Sequence, residues 1–323
     1  MQNTLCVKKQ VKKDVNKVVL GVIIYTIILI SVIMCSVLGE IIIYSVQNPE
    51  LINMSNEELE PFFNQILEKG TSSVVGVILG TLFLTLFFRK DNIYKKIFCS
   101  KKQMSCIAFG KLFCIFMGVQ LICNLGISGI ETIFNLFGYT TFASIETATG
   151  VSNTISMFIY VSILAPIIEE IIYRGFILRK LENHGKLLAI VISSIIFGFM
   201  HENIYQNIFG ILIGFVFSYI TIEYGIRWSI LLHIINNCVL GELFYKVTSF
   251  LPIEISETIF IIFEILMFIG GVYVIIKNKN KIKQYIEDNK ITDHKLKYAL
   301  TSVGLILYMA YSTISAFQEI TKI

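Results

Sequence analysis

A series of long apolar runs is the feature that most constrains how this chain folds. Several runs approach the roughly 20 residues that a helix needs to cross the ~30 Å hydrocarbon core of a bilayer. They lack the alternation of apolar and polar residues that barrel strands show. We therefore predict an all-α polytopic membrane protein, a bundle of eight or nine transmembrane helices. The runs lie at about 18–46, 74–88, 104–125, 154–178, 187–200, 204–222, 228–243, 255–276 and 298–316.

The composition agrees with a membrane location. Of the 323 residues, 55% are hydrophobic and 15% are charged, against roughly 25% charged in an ordinary soluble domain. These values exclude a soluble globular, disordered or disulfide-stapled secreted protein. The net charge of +4 is concentrated in short loops rather than spread over one surface, so we expect no nucleic-acid partner.

Lysine and arginine clusters recur on alternate loops and predict the orientation. Such clusters mark the cytoplasmic side of a membrane protein, and the first one precedes the first apolar run. That run is too long for the core of a signal peptide. We therefore expect a multi-pass protein of the cell membrane with a cytoplasmic N-terminus, and the Ile- and Lys-rich composition favours a bacterial source. The clusters lie at 8–17, 89–102, 179–186, 227 and 277–283.

Charged residues inside spanning helices are candidate functional residues, because each costs about 2.5–3.5 kcal/mol on insertion scales. The fourth run carries Glu169, Glu170 and Arg174. Glu170 and Arg174 are four residues apart, so we expect a bidentate ion pair on one helix face. Glu169 lies about 100° round the helix and is the candidate general base. Pro166 lacks an N–H and leaves a carbonyl one turn earlier without its usual donor, which is tolerated where a cavity is lined.

Two other runs supply histidines. His201 lies four residues after Phe197, whose ring we expect to pack beneath the imidazole, and His233 lies four residues before Asn237. In one interpretation Glu169 and His201 polarise a water while His233 and Asn237 donate hydrogen bonds to a developing oxyanion. In the other, Glu169, His201 and His233 bind Zn²⁺ with an open fourth position. Either arrangement hydrolyses an amide, so the cofactor is predicted to be none or Zn²⁺.

These residues form three motifs that resemble a known family. The ordered set on membrane helices is similar to the CPBP (CAAX protease and bacteriocin-processing) intramembrane proteases, which include type II CAAX prenyl endopeptidases and Abi proteins. The resemblance covers about residues 150–245. The motifs are Glu169-Glu170-x-x-x-Arg174, Phe197-x-x-x-His201 and His233-x-x-x-Asn237.

The resemblance implies a catalytic core of eight helices and a role for each motif residue. It implies that Glu169 and His201 activate water and that His233 and Asn237 form the oxyanion site. Whether a metal takes part is contested for the family, so Zn²⁺ remains open. We expect transmembrane helices in 1–149, the catalytic core in 150–245 and further helices in 246–323. The residues implied to support the site are Glu170 and Arg174.

We therefore expect an intramembrane endopeptidase that cuts a peptide or a membrane-associated protein in the cytoplasmic half of the bilayer, with membrane lipid as its other partner. One alternative is a non-enzymatic bacteriocin-immunity or partner-binding protein that keeps the motifs for structure. A second alternative is a transporter in which the glutamate and histidine set relays protons. The chain shows no inverted repeat of the kind found in such carriers.

Overall fold

The computed structural model describes residues 2–48, 66, 69–141 and 152–323. Within these residues it contains twelve helices and almost no sheet, which confirms the predicted all-α class. Two short strands, β1 (Tyr139–Thr140) and β2 (Thr321–Lys322), pair antiparallel. The helices are α1 Gln2–Gln47, α2 Thr71–Phe87, α3 Tyr94–Ile97, α4 Cys106–Leu136, α5 Ile155–His184, α6 Lys186–Phe199, α7 Ile204–Tyr224, α8 Ile226–Thr248, α9 Ile253–Lys277, α10 Lys279–Asp288, α11 Lys295–Leu300 and α12 Val303–Gln318.

All nine apolar runs are helical, and the chain is a multi-pass membrane protein. Among the described residues, six helices are long and apolar enough to cross a membrane, namely α1, α4, α5, α7, α8 and α9. The apolar helices α2, α6 and α12 are shorter. The ninth run is interrupted, because α11 ends at Leu300 and α12 begins at Val303. The expected boundary at 149/150 lies outside the described residues, and the one after residue 245 falls inside α8.

Two helices depart from α-geometry near the candidate site. In α5 the segments Tyr160–Leu164 and Glu170–Leu178 are π-helical, and in α8 the segment Ile235–Leu243 is π-helical. Single π-helical turns are rare and occur frequently at functional sites. A wider turn also rotates side chains away from the four-residue spacing on which a sequence-based assignment of helix faces depends.

Helices α6 and α7 approach closely because glycines line their contact. A Cβ atom on Gly198 would lie 2.5 Å from the carbonyl oxygen of Asn207, and one on Gly210 would lie 2.9 Å from Cα of Gly198. One on Gly214 would lie 2.9 Å from Cβ of Ser194. Small residues at such spacing let helix backbones meet inside a membrane. The contact holds the end of α6, and the turn that follows it, against α7.

The charged loops meet on one face of the bundle. Lys180 Nζ lies 3.1 Å from Asp14 Oδ1 and 2.6 Å from Asp91 Oδ1. The other carboxylate oxygen of Asp91, Oδ2, pairs with Lys17. Burial raises the pKa of the Asp91 carboxyl, but the hydrogen bonds from Lys17 and Lys180 outweigh it and lower that pKa below the ordinary value. This clustering agrees with loops that share one side of the membrane. The cytoplasmic identity of that side remains a prediction.

Gly198→Ala should destabilise the protein, because the added methyl group overlaps the α7 backbone. We expect a loss of about 1–3 kcal/mol, as for an overpacked core, seen as a lower thermal midpoint in detergent. Gly129→Ala in α4 is the matched control, since no heavy atom lies within 4 Å of its Cβ position. Equal midpoints for the two variants would contradict the close α6–α7 contact.

Candidate active site

Helix α5 places its adjacent glutamates in different surroundings. The Glu170 side chain is fully buried, whereas that of Glu169 is 16% exposed. Glu170 Oε1 lies 3.1 Å from Arg174 Nη1, and the Arg174 side chain is also fully buried. The predicted ion pair is therefore confirmed. The two carboxylates differ in access, as expected for a pair with separate roles.

The predicted bidentate geometry of this ion pair is wrong. None of the three guanidinium nitrogens of Arg174 has a hydrogen-bond partner among the described residues, and neither has Glu170 Oε2. Instead, Arg174 Cζ lies 4.0 Å from the Phe197 ring centre and 5.2 Å from that of Phe217. The guanidinium group thus makes cation–π contacts with both rings. The π-helical turn that begins at Glu170 also changes the alignment that an ideal α-helix would give the pair.

His233 in α8 lies between the two glutamates. Its Nδ1 is 3.2 Å from Glu170 Oε1, and its Nε2 is 3.8 Å from Glu169 Oε2. The imidazole stacks on Phe217 with ring centres 4.9 Å apart, so the ring plane is fixed by packing. His233 was predicted to lie in an oxyanion site, but its contact with Glu170 was not predicted, because that contact depends on how α8 packs against α5.

His201 joins this cluster through an aromatic ring. Its imidazole meets Phe197 edge to face with ring centres 5.5 Å apart, which confirms the predicted packing. Phe197 also contacts the His233 imidazole edge to face at 6.0 Å. Among the described residues no contact joins His201 directly to Glu169. The structure therefore groups Glu169, Glu170, Arg174 and His233, and it places His201 beside this group, against the Phe197 ring that also contacts His233.

Asn237 ties α8 to α5 at the carbonyl that Pro166 leaves without a donor. The Ala165 N–H donates to the Tyr160 carbonyl, five residues back. In that π register the Val161 carbonyl would accept from residue 166, and proline has no N–H. Asn237 Nδ2 donates to the Val161 carbonyl instead, at 3.1 Å. A carboxamide nitrogen carries two hydrogens, so one N–H of Asn237 remains for a ligand.

The turn after α6 is held by the C-terminal helix. Ser315 Oγ donates to Glu202 Oε2 at 2.9 Å, and Asn203 Nδ2 donates to Glu319 Oε2 at 3.1 Å. Glu202 has φ 52°, an uncommon left-handed conformation for a residue other than glycine. No role was predicted for α12. Asn203 is a typical N-cap residue, which is the sequence signal for this turn, and its Oδ1 accepts hydrogen bonds from the N–H groups of Tyr205 and Gln206.

The proposed zinc ligands do not converge. Among the residues that the structure describes, no group of three His, Cys, Asp or Glu side chains is placed to hold a metal ion. Glu169 and His233 approach each other, whereas His201 contacts the Phe197 ring, which also contacts His233. This arrangement of the described residues does not fit a three-residue zinc site.

Arg174→Met should destabilise the protein by about 3–5 kcal/mol, because it leaves Glu170 as a buried carboxylate without its cation. The double variant Glu170→Gln, Arg174→Met should recover part of that loss, since neither charge then remains. Thermal midpoints of the purified variants test this expectation. A double variant less stable than either single variant would contradict a buried ion pair.

Comparison with known proteins supports the family assignment. Residues 151–239 match the family model described as Type II CAAX prenyl endopeptidase Rce1-like. No curated protein and no solved structure gives a significant match to the chain. The matched segment contains all six candidate site residues, namely Glu169, Glu170, Arg174, His201, His233 and Asn237. Residues 151–239 therefore carry a membrane protease domain of the CAAX family, the relationship that the three motifs predicted.

Proposed function

We propose that the protein is an intramembrane endopeptidase that hydrolyses a peptide bond of a peptide or membrane-associated protein. One observation carries this proposal: His233 directs Nδ1 towards Glu170 and Nε2 towards Glu169. A histidine oriented by one carboxylate and facing a second is suited to acid–base chemistry. The family match at residues 151–239 supports the same conclusion.

Glu169 is proposed as the general base. Of the two glutamates it alone is partly exposed, and Arg174 pairs with its neighbour. A water beside Glu169 gives its proton to the carboxylate as its oxygen attacks the scissile carbonyl carbon. When the tetrahedral intermediate collapses, the C–N bond breaks and that proton passes to the leaving nitrogen. His201 is proposed to orient the attacking water.

His233 and Asn237 are proposed as the oxyanion donors. The 3.8 Å separation between His233 Nε2 and Glu169 Oε2 is longer than a direct hydrogen bond. In the proposed mechanism Glu169, the base, faces the attacking water, and His233, the donor, faces the carbonyl oxygen beside it. The second N–H of Asn237 is the other proposed donor.

Glu170 and Arg174 are proposed as supporting residues. Glu170 accepts a hydrogen bond from Nδ1–H of His233 and so aims Nε2 at the reacting carbonyl. Arg174 offsets part of the charge of Glu170, which would otherwise be costly inside the membrane. Contacts of Arg174 with Phe197 and Phe217 keep this pair away from water.

Replacing Glu169 with glutamine should abolish cleavage while leaving the protein in the membrane. A positioned general base contributes about 10²–10⁴-fold to the rate, so a loss of at least 10²-fold is expected. Peptides and new N-termini should be compared in membranes and medium of cells that express equal amounts of wild type and Glu169→Gln. Products that vanish with the variant would also identify the substrate.

Glu264→Gln is the matched control for that experiment. Glu264 is another buried glutamate of a spanning helix, in α9, and it accepts a hydrogen bond from Asn124 Nδ2 at 3.0 Å. We expect this variant to retain the wild-type products. Identical profiles for wild type and Glu169→Gln, with the wild-type phenotype intact, would contradict proteolysis and favour the immunity or partner-binding alternative.

Activity should be insensitive to strong chelators, because the three candidate ligands do not converge. The measurement is the cleavage rate of the purified protein before and after dialysis against a chelator. Complete loss that zinc restores would reverse the assignment and favour the metal-dependent alternative. Residual activity equal to that of the untreated protein supports water activation by protein side chains.

A further inference from the structure

A cavity of about 300 Å³ lies on the charged face of the bundle, and none of its lining residues belongs to the glutamate and histidine cluster. Its walls come from α3, the loop between α3 and α4, the end of α5 and the end of α7. Three cationic side chains and one carboxylate line it. These four residues are Lys96, Lys101, Arg179 and Glu182.

The positive charge of this cavity is only partly neutralised. Arg179 Nη1 donates to Glu182 Oε2 at 3.0 Å, and Lys101 Nζ lies 3.7 Å from the other oxygen of the same carboxylate. Lys96 Nζ donates to the neutral Asn183 side chain at 2.9 Å. One carboxylate thus faces three cations. An anion in the cavity would find an excess of positive charge.

The nearby Glu223 carboxylate also acts on Lys101, but two further lysines offset its charge. Glu223, the other buried carboxylate nearby, pairs with Lys102 at 2.9 Å and with Lys186 at 2.8 Å. Partial burial and the nearby Lys186 ammonium lower the pKa of Lys101 below its ordinary value. Crowded ammonium groups of this kind are stabilised when an anion binds between them.

Arg179 gives the cavity a rigid, preorganised wall. Its side chain is only 3% exposed, and Nη2 donates to the carbonyls of Cys99 at 2.9 Å and Thr221 at 3.2 Å. Its Nε has no hydrogen-bond partner among the described residues. A planar guanidinium held in one orientation is well suited to phosphate. Little side-chain entropy is then lost on binding.

We propose that this cavity binds the phosphate of an anionic lipid headgroup. The face that carries it is the one predicted to be cytoplasmic, where the leaflet surface is negative and basic pockets between membrane helices recognise such headgroups. The cavity lies where charged loops meet the ends of spanning helices, which is where a headgroup rather than acyl chains is expected.

A bound headgroup would join two helices of the active-site bundle. Arg179 lies on α5, five residues after Arg174, and its hydrogen bond to Thr221 reaches α7. Thr221 Oγ1 in turn shares a hydrogen bond with Ser229 Oγ of α8 at 2.8 Å. The lipid would therefore stabilise the packing of α5, α7 and α8 at the end of the bundle that carries the charged loops.

Lipid binding is measured with the full-length protein in detergent, by native mass spectrometry during titration with phosphatidylglycerol or phosphatidylcholine. We expect wild type to retain one phosphatidylglycerol in preference to phosphatidylcholine. Lys96→Gln with Lys101→Gln should weaken phosphatidylglycerol binding about 30-fold, from about 1 kcal/mol for each lysine near an anionic surface. Lys96→Arg with Lys101→Arg should retain it, because the charge is kept.

The matched control is Lys279→Gln with Lys281→Gln, two exposed lysines of α10, which should bind as wild type does. An equal loss of phosphatidylglycerol binding in the two double Lys→Gln variants would overturn the proposal. Equal retention of phosphatidylglycerol and phosphatidylcholine by wild type would also overturn it. Displacement of the lipid by millimolar inorganic phosphate at constant ionic strength would assign the site to free phosphate. Displacement by a peptide with a free C-terminal carboxylate, but not by its amide, would assign it to a peptide terminus.

Discussion

A carboxylate and a guanidinium group, both fully buried in one membrane helix, set the conditions for the rest of the site. Glu170 and Arg174 offset each other's charge at 3.1 Å, and the aromatic rings of Phe197 and Phe217 enclose the guanidinium. Because the pair cannot be hydrated, neighbouring groups must complete its environment. His233 does so through Nδ1, and the same contact turns Nε2 towards Glu169. Because Arg174 pairs with Glu170, the adjacent Glu169 carboxylate, the proposed base, lies outside the ion pair.

The backbone of α5 is adapted to this arrangement. Pro166 removes a hydrogen-bond donor just before the two glutamates, and the preceding turn widens into a π-helical segment. The carbonyl of Val161, left without a backbone donor, is satisfied by Asn237 of α8. An unsatisfied carbonyl in lipid would cost several kcal/mol, so this hydrogen bond is also a strong link between the two helices. The residue proposed to bind an oxyanion therefore has a structural role as well.

Most of the helices and the identity of the polar cluster could be predicted from the sequence, because apolar runs and intramembrane charges are local signals. The approach of Phe197 to His201 followed directly from helical spacing. The contact between His233 and Glu170 did not, since it depends on how α8 crosses α5 and on π-helical turns that change the four-residue spacing. The same holds for Ser315 and Glu319, which act on the His201 turn from a distant part of the chain. The close approach of α7 to α6 at Gly210 and Gly214 was not predicted either, because it depends on which helix packs against α7.

The central claim is that different surroundings give the two adjacent glutamates different roles. Glu170 orients His233, and Glu169 is the general base. The most direct measurement is the ¹⁵N spectrum of histidine-labelled protein for wild type, Glu169→Gln and Glu170→Gln. We expect the Nδ1 signal of His233 to move in Glu170→Gln and to stay near its wild-type position in Glu169→Gln. A His233 Nδ1 signal that responds equally to both substitutions, or to neither, would contradict the division of roles.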